Sequence, residues 1–284
     1  MEARVDDVLV SPGSVVGPAL TWLNVNFHGV FAAIAAFFDF LLSGMVDLLS
    51  AGPPLAVAVV LGMGALMLSG WRYGLLTAVG LSICIVLDMW TATIETLALV
   101  ILAVLFSVVL GMAAGIAISR SRSLEAVTKP LLDIMQTLPP WVYLVPAVIL
   151  FGLGTVPALL STIVYGMAPM VRLTVLAMRQ IPEERLELGR SIGSRPIHIL
   201  TKIELPSALP TILVGVNQCI LLSLAMVVLA GLVGAGGLGS EVTQGLTRLD
   251  FGLGLRASFA IVMLAIMMDR VFRGAVPRRF TAVT

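Results

Sequence analysis

Residues 180–196 read Gln180-Ile181-Pro182-Glu183-Glu184-Arg185-Leu186-Glu187-Leu188-Gly189-Arg190-Ser191-Ile192-Gly193-Ser194-Arg195-Pro196, a strongly charged stretch in a mostly apolar chain. Pro182 predicts a helix start, because its missing N–H would be unpaired there anyway. Gly193 predicts the end of that helix, because glycine adopts positive φ without strain. Ser194 is expected to cap a second helix that ends before Pro206. The stretch therefore predicts a polar elbow of two short helices that a protein on the aqueous side could bind.

The composition of the chain is typical of a membrane protein. Hydrophobic residues make up 59% and charged residues 12%, and the mean hydropathy is +1.07, far from the values of soluble domains. Its apolar runs are continuous, whereas a transmembrane barrel alternates over segments of about 10 residues. The fold class predicted is therefore an all-α polytopic membrane protein. The start, 1–7, carries two Asp and one Glu against one Arg and has no immediate apolar stretch, so we expect no cleavable signal peptide.

Seven apolar segments are predicted to span a hydrocarbon core about 30 Å thick. They are 53–70, 74–90, 93–118, 131–153, 157–178, 207–232 and 255–273. An eighth apolar stretch, 29–50, contains Asp39 and Asp47, which lie near one helix face. Two aspartates facing lipid would be costly. We interpret 29–50 as an amphipathic helix at the interface or against the bundle, with a true span as the alternative.

The lysines and arginines predict the orientation of the chain. The connections after 118, 178 and 273 are rich in basic residues, which mark the cytoplasmic side. These residues are Arg120, Arg122, Lys129, Arg179, Arg185, Arg190, Arg195, Lys202, Arg273, Arg278 and Arg279. We therefore expect the N-terminus outside, the C-terminus in the cytoplasm, and the elbow in the cytoplasm.

The sequence lacks the usual phosphate-binding pattern. Gly-Lys-Ser/Thr is required for the P-loop, but a threonine precedes both lysines, Lys129 and Lys202. Residues 234–239 match G-x-G-x-x-G, yet they follow an apolar segment instead of a strand. They are expected to form a flexible or re-entrant external turn. This chain is therefore predicted to be no enzyme and to hold no nucleotide cofactor.

Metal binding and ion-coupled transport are also disfavoured. His28 and His198 are far apart and no acidic cluster accompanies either one. Cys84 and Cys219 lie inside apolar segments and are expected to be packing residues. No paired acids lie deep in the predicted spans, as a proton relay would need. The energy for any transport is therefore expected to come from another protein.

One proline-rich stretch is a candidate lining for a transport pathway. Trp141 and Tyr143 follow Pro139-Pro140, and Gln136 precedes it. The prolines predict bends, and aromatic faces attract quaternary ammonium groups by about 0.5–2 kcal/mol each. Gln136, Trp141 and Tyr143 are therefore candidate contacts for a cationic or zwitterionic solute, with packing as the alternative role of the rings.

The elbow, with Glu187, Gly193 and the closing Leu205-Pro206, resembles the EAA loop of ABC-importer permeases. The resemblance covers about 91–272, and several motifs in it are similar to the glycine betaine/proline betaine (ProW-like) branch of the binding-protein-dependent inner-membrane components. They are Met135-Gln136-Thr137-Leu138-Pro139, Val142-Tyr143-Leu144-Val145-Pro146, Gly215-Val216-Asn217-Gln218, Gly236-Gly237-Leu238-Gly239 and Arg248-Leu249-Asp250. The third motif adds Asn217 to the candidate pathway residues. Leu188-Gly189 departs from the two alanines of the general EAA motif.

The resemblance implies a MetI-like core of five spans in the bacterial inner membrane. It implies two permease copies, identical or different, a separate ATPase that binds ATP, and an external solute-binding protein. It also implies that the elbow docks on the ATPase, with a set of coupling residues comprising Glu183, Glu187, Leu188, Gly189, Gly193, Ser194 and Pro206. Betaine-type osmolytes are the expected solutes. The alternatives are choline, trimethylamine N-oxide, histidine or a sulfonate, or a self-sufficient secondary carrier.

The predicted domain organisation has four parts. Residues 1–52 form an N-terminal tail and the amphipathic helix, and 53–90 form two accessory spans. Residues 91–274 form the permease core, which includes the elbow 180–206. A cytoplasmic tail, 275–284, completes the chain.

Overall fold

The computed structural model of the protein describes residues 12–275, and helices form nearly all of this part, with no strand in it. The all-α prediction is confirmed. Residues 1–11 of the predicted N-terminal tail and 276–284 of the predicted C-terminal tail, with Arg278 and Arg279, lie outside the described residues. In chain order the helices are α1 (Pro12–Leu49), α2 (Pro54–Ser69), α3 (Trp71–Val86), α4 (Trp90–Ser119), α5 (Arg122–Thr137), α6 (Leu144–Phe151), α7 (Thr155–Arg179), α8 (Glu183–Ser191), α9 (Pro196–Ile199), α10 (Leu205–Ala230), α11 (Gly237–Thr247) and α12 (Phe251–Ala275).

Four long helices, α4, α7, α10 and α12, form the centre of the bundle, and all are long and apolar enough to cross a membrane. They correspond to four of the predicted spans. The central helix α7 packs against α4 through glycines: a Cβ on Gly111 would lie 2.8 Å from Met170 Cβ, and one on Gly115 would lie 2.6 Å from Thr174 Cβ. Small residues let the two helix backbones approach closely, so this stripe serves packing within the chain.

Helices α2 and α3 occupy the two predicted accessory spans, but each has only 16 residues. A straight crossing needs about 20, so both are shorter than the sequence patterns predict. Gly70, with φ 101°, makes the turn between them. At that end the pair is fixed to α12, because Ser69 Oγ donates to the Val271 carbonyl at 2.6 Å.

Helix α1 begins well before the predicted residue 29 and is interrupted only at Phe27, which has non-helical angles. Its portion Gly17–Leu49 is long and apolar enough to cross a membrane, which favours the alternative interpretation over the amphipathic one. Phe38 packs on Phe106 of α4 with ring centroids 5.0 Å apart. Asp39 and Asp47 are both exposed, on the side away from the bundle.

The predicted span 131–153 is broken in the structure, because two helical segments bent against each other cover it and are long and apolar enough to cross a membrane only together. Helix α5 starts at Arg122 and ends at Thr137, and the segment Pro140–Phe151 continues at 113° to it. Pro139-Pro140 is the cause, because prolines lack the N–H that a helix needs and push the preceding residue into extended geometry. Leu138 is accordingly extended, with ψ 136°. The prolines predict a bend, but the sequence does not predict a change of direction greater than a right angle.

The glycine-rich stretch after α10 is a packing motif and the start of α11. The Gly237 N–H donates to Glu95 Oε2 at 2.6 Å, and the Leu238 N–H donates to Thr96 Oγ1 at 2.9 Å. Side chains of α4 thus satisfy the first N–H groups of α11, which would otherwise lack partners. A Cβ on Gly239 would lie only 2.1 Å from the Val227 carbonyl oxygen. Residues 234–236 thus form a turn, with positive φ at Gly234 and Gly236, and Gly239 lets α11 approach α10 closely.

Candidate functional site

The elbow consists of α8, a glycine turn and α9. Pro182 immediately precedes α8, and Glu183 and Glu184 lie in its first turn, where the helix dipole favours negative charge. Gly193 has φ 70°. Its N–H donates to the Arg190 carbonyl at 2.9 Å, and the Ser194 N–H donates to the Gly189 carbonyl at 3.1 Å. This pair of bonds is a Schellman motif, so the predicted start and stop of α8 are confirmed.

The predictions for the second half of the elbow are wrong in two respects. Ser194 does not cap α9, which begins at Pro196 after Arg195 and has no side-chain cap. The second helix also does not end before Pro206, because a π turn, Leu200–Glu204, carries it directly into α10. A π turn is wider than an α turn. It accommodates Pro206, whose ring would clash with the carbonyl four residues earlier in a regular helix.

Gly189 explains part of the departure from the general loop pattern. A Cβ there would lie 2.6 Å from Ile203 Cδ1 and 3.3 Å from Ile199 Cγ1, so these two isoleucine side chains would have to move to admit a larger residue. Leu188, by contrast, points outward and is 65% exposed. Glycine therefore sets the packing of the elbow, and the larger neighbour meets no steric conflict within the chain.

The outer face of the elbow carries apolar side chains among charges. Leu188, Ile192 and Ile197 are 65%, 73% and 57% exposed, and Glu187 beside them is exposed as well. We call these four residues the elbow patch. Clustered apolar exposure rimmed by charge is typical of a protein-binding site. The patch is therefore suited to receive another protein on the aqueous side.

A bidentate ion pair joins the elbow to α4. Arg120 donates from Nη1 to Glu204 Oε1 at 2.8 Å and from Nη2 to Oε2 at 2.5 Å. The Glu204 side chain is only 6% exposed, whereas that of Arg120 is 50% exposed. Hydrogen bonding to the Glu204 carboxylate raises the pKa of Arg120 above its usual value. The pair connects the π turn before α10 to the end of α4.

A groove of about 420 Å³ lies between α5, α7 and α10. Its polar lining consists of Gln136, Tyr165, Arg172 and Gln218, and the remaining lining residues are apolar. Arg172 Nη2 lies 3.1 Å from Asp133 Oδ1, and Arg172 Nη1 donates to Gln136 Oε1 at 2.7 Å. The groove thus presents a positively charged group, two amides and an aromatic ring to one space.

The four predicted pathway residues are not brought together. Gln136 lines the groove, but Trp141 is exposed and does not line it. The Tyr143 hydroxyl donates to the Met135 carbonyl, and its ring lies 5.5 Å from that of Tyr165. Asn217 Oδ1 is buried and has no hydrogen-bond partner among the described residues.

Sequence reasoning missed Tyr165, Arg172 and Gln218 as groove residues. A signal existed for Arg172, because an ionisable residue inside a membrane span is a functional candidate by default. No local pattern could connect it to Gln136, 36 residues earlier. Helix α5 is held to α7 by a further ion pair, Arg179 Nη2 to Glu125 Oε2 at 2.7 Å.

These features define a class of protein: a helical membrane protein with a groove between its long helices and a charged elbow between two of them. The chain belongs to the family described as binding-protein-dependent transport system inner membrane component, which matches residues 107–279. Members of this family are permease subunits of ABC importers and not enzymes, and ATP is bound by a separate ATPase subunit. An ATPase and a solute-binding protein are therefore its partners.

Several relatives match nearly the whole chain. The glycine betaine/proline betaine transport system permease protein ProW of Escherichia coli is 40% identical over 263 residues, covering 93% of this chain and 74% of that protein. The glycine betaine permease OpuAB of Bacillus subtilis is 37% identical over 257 residues, and the match covers 90% of this chain and 91% of that protein. The glycine betaine/carnitine permease GbuB of Listeria monocytogenes is 37% identical, and the match covers 89% of this chain and 94% of that protein.

A solved structure shares the fold. The MetNI methionine ABC transporter in an inward-facing conformation aligns with a TM-score of 0.58 at 23% identity, over 69% of this chain and 96% of the aligned chain. The predicted MetI-like core is therefore confirmed.

Proposed function

We propose that this chain is the permease subunit of an ATP-driven importer for glycine betaine, proline betaine and related quaternary ammonium osmolytes. The observation that carries the proposal is the 40% identity to the E. coli permease over 93% of this chain. Two more relatives named for glycine betaine, from B. subtilis and L. monocytogenes, support it over similar lengths.

The second candidate is the same architecture with another methylated amine as solute. Trimethylamine N-oxide and choline appear in the names of more distant relatives, which are 36% and 28% identical over 76% and 63% of this chain. Their lower identity and coverage rank them behind glycine betaine. Histidine and sulfonates have no support in these names.

The elbow patch is the proposed docking site for the ATPase subunit. Glu187 and Leu188 would contact it directly, and Glu183 would contribute charge at the start of α8. The remaining coupling residues shape the elbow: Gly189 by close packing, Gly193 by its positive φ, Ser194 through its backbone N–H, and Pro206 at the start of α10.

The groove between α5, α7 and α10 is the proposed part of the translocation path in this chain. Gln136 remains in the proposal because it lines the groove. Trp141, Tyr143 and Asn217 become secondary candidates, since none of them lines it. A second permease copy, identical to this chain in the simplest arrangement, would complete the path.

The elbow is proposed to be cytoplasmic, with the N-terminus outside and the C-terminus inside. Ser191 on the elbow and Thr247 at the end of α11 are both exposed and lie on opposite sides in this topology. In a background without Cys84 and Cys219, we expect Ser191→Cys to react with membrane-impermeant maleimide only from the cytoplasmic side. Thr247→Cys should react only from outside. The reverse labelling pattern contradicts the orientation and the docking proposal.

Transport by the complete complex tests the proposed function. The permease, its ATPase and its binding protein are reconstituted in proteoliposomes, and uptake of radiolabelled glycine betaine is measured with ATP on the elbow side. We expect uptake to require ATP and both partners and to survive collapse of ion gradients. Uptake without the ATPase that stops when ion gradients collapse would indicate a secondary carrier. Uptake of choline or trimethylamine N-oxide alone would support the second candidate.

A further inference from the structure

We propose that the groove between α5, α7 and α10 binds the zwitterionic solute during transit, with Arg172 taking its carboxylate and the Tyr165 ring taking its quaternary ammonium group. This inference rests on the proposed function and assigns a site within the permease itself. Its volume of about 420 Å³ falls within the usual range of small-molecule pockets, about 300–1,000 Å³.

Arg172 is held in position and still has donors to offer. Asp133 and Gln136 each engage one of its terminal nitrogens, which orients the planar guanidinium. An arginine side chain has five N–H donors, so these two contacts leave others free for a carboxylate. Arginine suits this role because its paired N–H groups match the two carboxylate oxygens.

Tyr165 supplies the complementary surface for the other end of the solute. It lies seven residues before Arg172 on α7, so the two are on one helix face about 10 Å apart along the axis. Both side chains line the groove. The ring of Tyr165 is supported by that of Tyr143, 5.5 Å away. The face of the ring attracts a quaternary ammonium group electrostatically. Such a group has no N–H and therefore cannot donate a hydrogen bond to an acceptor.

The groove is open, as a transit site must be. Val214 and Gln218 line it and are exposed, so the groove is accessible from outside the chain and does not enclose its ligand. A transport site has to bind favourably enough for entry and weakly enough for release. One cation–π contact and one carboxylate contact provide this balance better than a closed aromatic cage.

Thiol protection measures binding in the groove without the binding protein. The probe is Val214→Cys in the permease–ATPase complex in nanodiscs, in a background lacking Cys84 and Cys219, treated with maleimide. We expect glycine betaine and choline to slow labelling, and sucrose at equal concentration to have no effect. Arg172→Gln should remove protection by glycine betaine and leave that by choline, which has no carboxylate. Tyr165→Leu should remove both, and Tyr165→Phe, which keeps the ring, should remove neither.

Uptake by the complete complex, with saturating solute-loaded binding protein, gives the second measurement. We expect Tyr165→Leu and Arg172→Gln each to lower maximal glycine betaine uptake about tenfold, the size of one such contact, with assembly intact. Because Arg172→Gln also leaves Asp133 unpaired, Asp133→Asn is added to it as a control. Restored uptake in that double variant would assign Arg172 a structural role and overturn the proposal.

Different results would contradict the proposed function and the groove site. A wild-type complex that does not transport glycine betaine contradicts the proposed function. A wild-type complex that transports it, while Tyr165→Leu and Arg172→Gln transport equally well and protection is absent, contradicts the groove site alone.

Discussion

Gly193→Val is expected to lower solute uptake at least tenfold while leaving the protein inserted in the membrane. Gly193 has φ 70°, and a residue with a Cβ loses about 1–2 kcal/mol in that conformation. Valine is worse than most residues there because it is β-branched. No atom lies within 4 Å of the position a Cβ would take. The cost is therefore purely conformational, and the elbow relieves it by changing the angle between α8 and α9.

The expected consequence of that change is a misdirected elbow patch. Leu188 lies on α8 and Ile192 follows it as the C-cap residue, whereas Ile197 lies on α9, so a rotation between the helices splits the surface that the ATPase would meet. The measurements are the amount of ATPase that copurifies with the permease and the ratio of uptake to solute-stimulated hydrolysis. Glu187→Ala removes one exposed charge and should give a smaller defect in the same direction.

Gly193→Asn is the matched control for this prediction. Asparagine tolerates the left-handed region much better than valine, although both add a side chain of similar size. We expect Gly193→Asn to retain most of the uptake. Equal loss in both variants would mean that the side chain, and not the backbone angle, interferes. Normal hydrolysis and uptake in Gly193→Val would contradict the coupling role of the elbow.

Arg120→Leu is expected to produce the second large effect, on both stability and coupling. It leaves the Glu204 carboxylate, 6% exposed, without its bidentate partner. A buried charge that loses its partner costs more than the pair contributed, and hydrogen bonds to charged groups are worth about 1.5–3 kcal/mol. We expect a lower temperature of thermal unfolding for the purified permease and a lower ratio of uptake to hydrolysis.

The double variant Arg120→Leu/Glu204→Leu separates stability from coupling. The second substitution removes the buried Glu204 carboxylate that Arg120→Leu leaves without a partner, so the unfolding temperature should recover toward that of the wild type. The link between the π turn and α4 remains broken, so the ratio of uptake to hydrolysis should stay low. Recovery of both quantities would show that the ion pair serves folding alone.

Local sequence signals predict only those parts of the elbow that depend on the backbone preferences of single residues. The start of α8 after Pro182 and its stop at Gly193 follow from a missing N–H and from positive φ, which depend on neighbouring residues alone. The end of the second helix does not. Pro206 usually predicts a break, but the π turn Leu200–Glu204 and the packing of Gly189 on Ile203 hold the chain helical through it.

Local preference and tertiary packing also contribute separately to the bent segment and to the glycine-rich stretch. Pro139-Pro140 predicted a bend, but the angle of 113° between the two parts depends on what α5 and α6 pack against. Residues 234–239 were recognised as flexible glycines out of place for a nucleotide site. Their role became visible only with Glu95 and Thr96 bound to the start of α11.

The sequence by itself determined the class of the protein, the position of the four central spans and the turn at Gly193, because hydropathy and backbone preference act over neighbouring residues. The tertiary structure alone decided which polar groups meet. Arg120 and Glu204 are 84 residues apart, and Glu95 and Gly237 are 142 apart. Such pairs form because packed helices bring distant side chains within hydrogen-bonding distance, and no periodicity along one helix specifies which helix will be its neighbour.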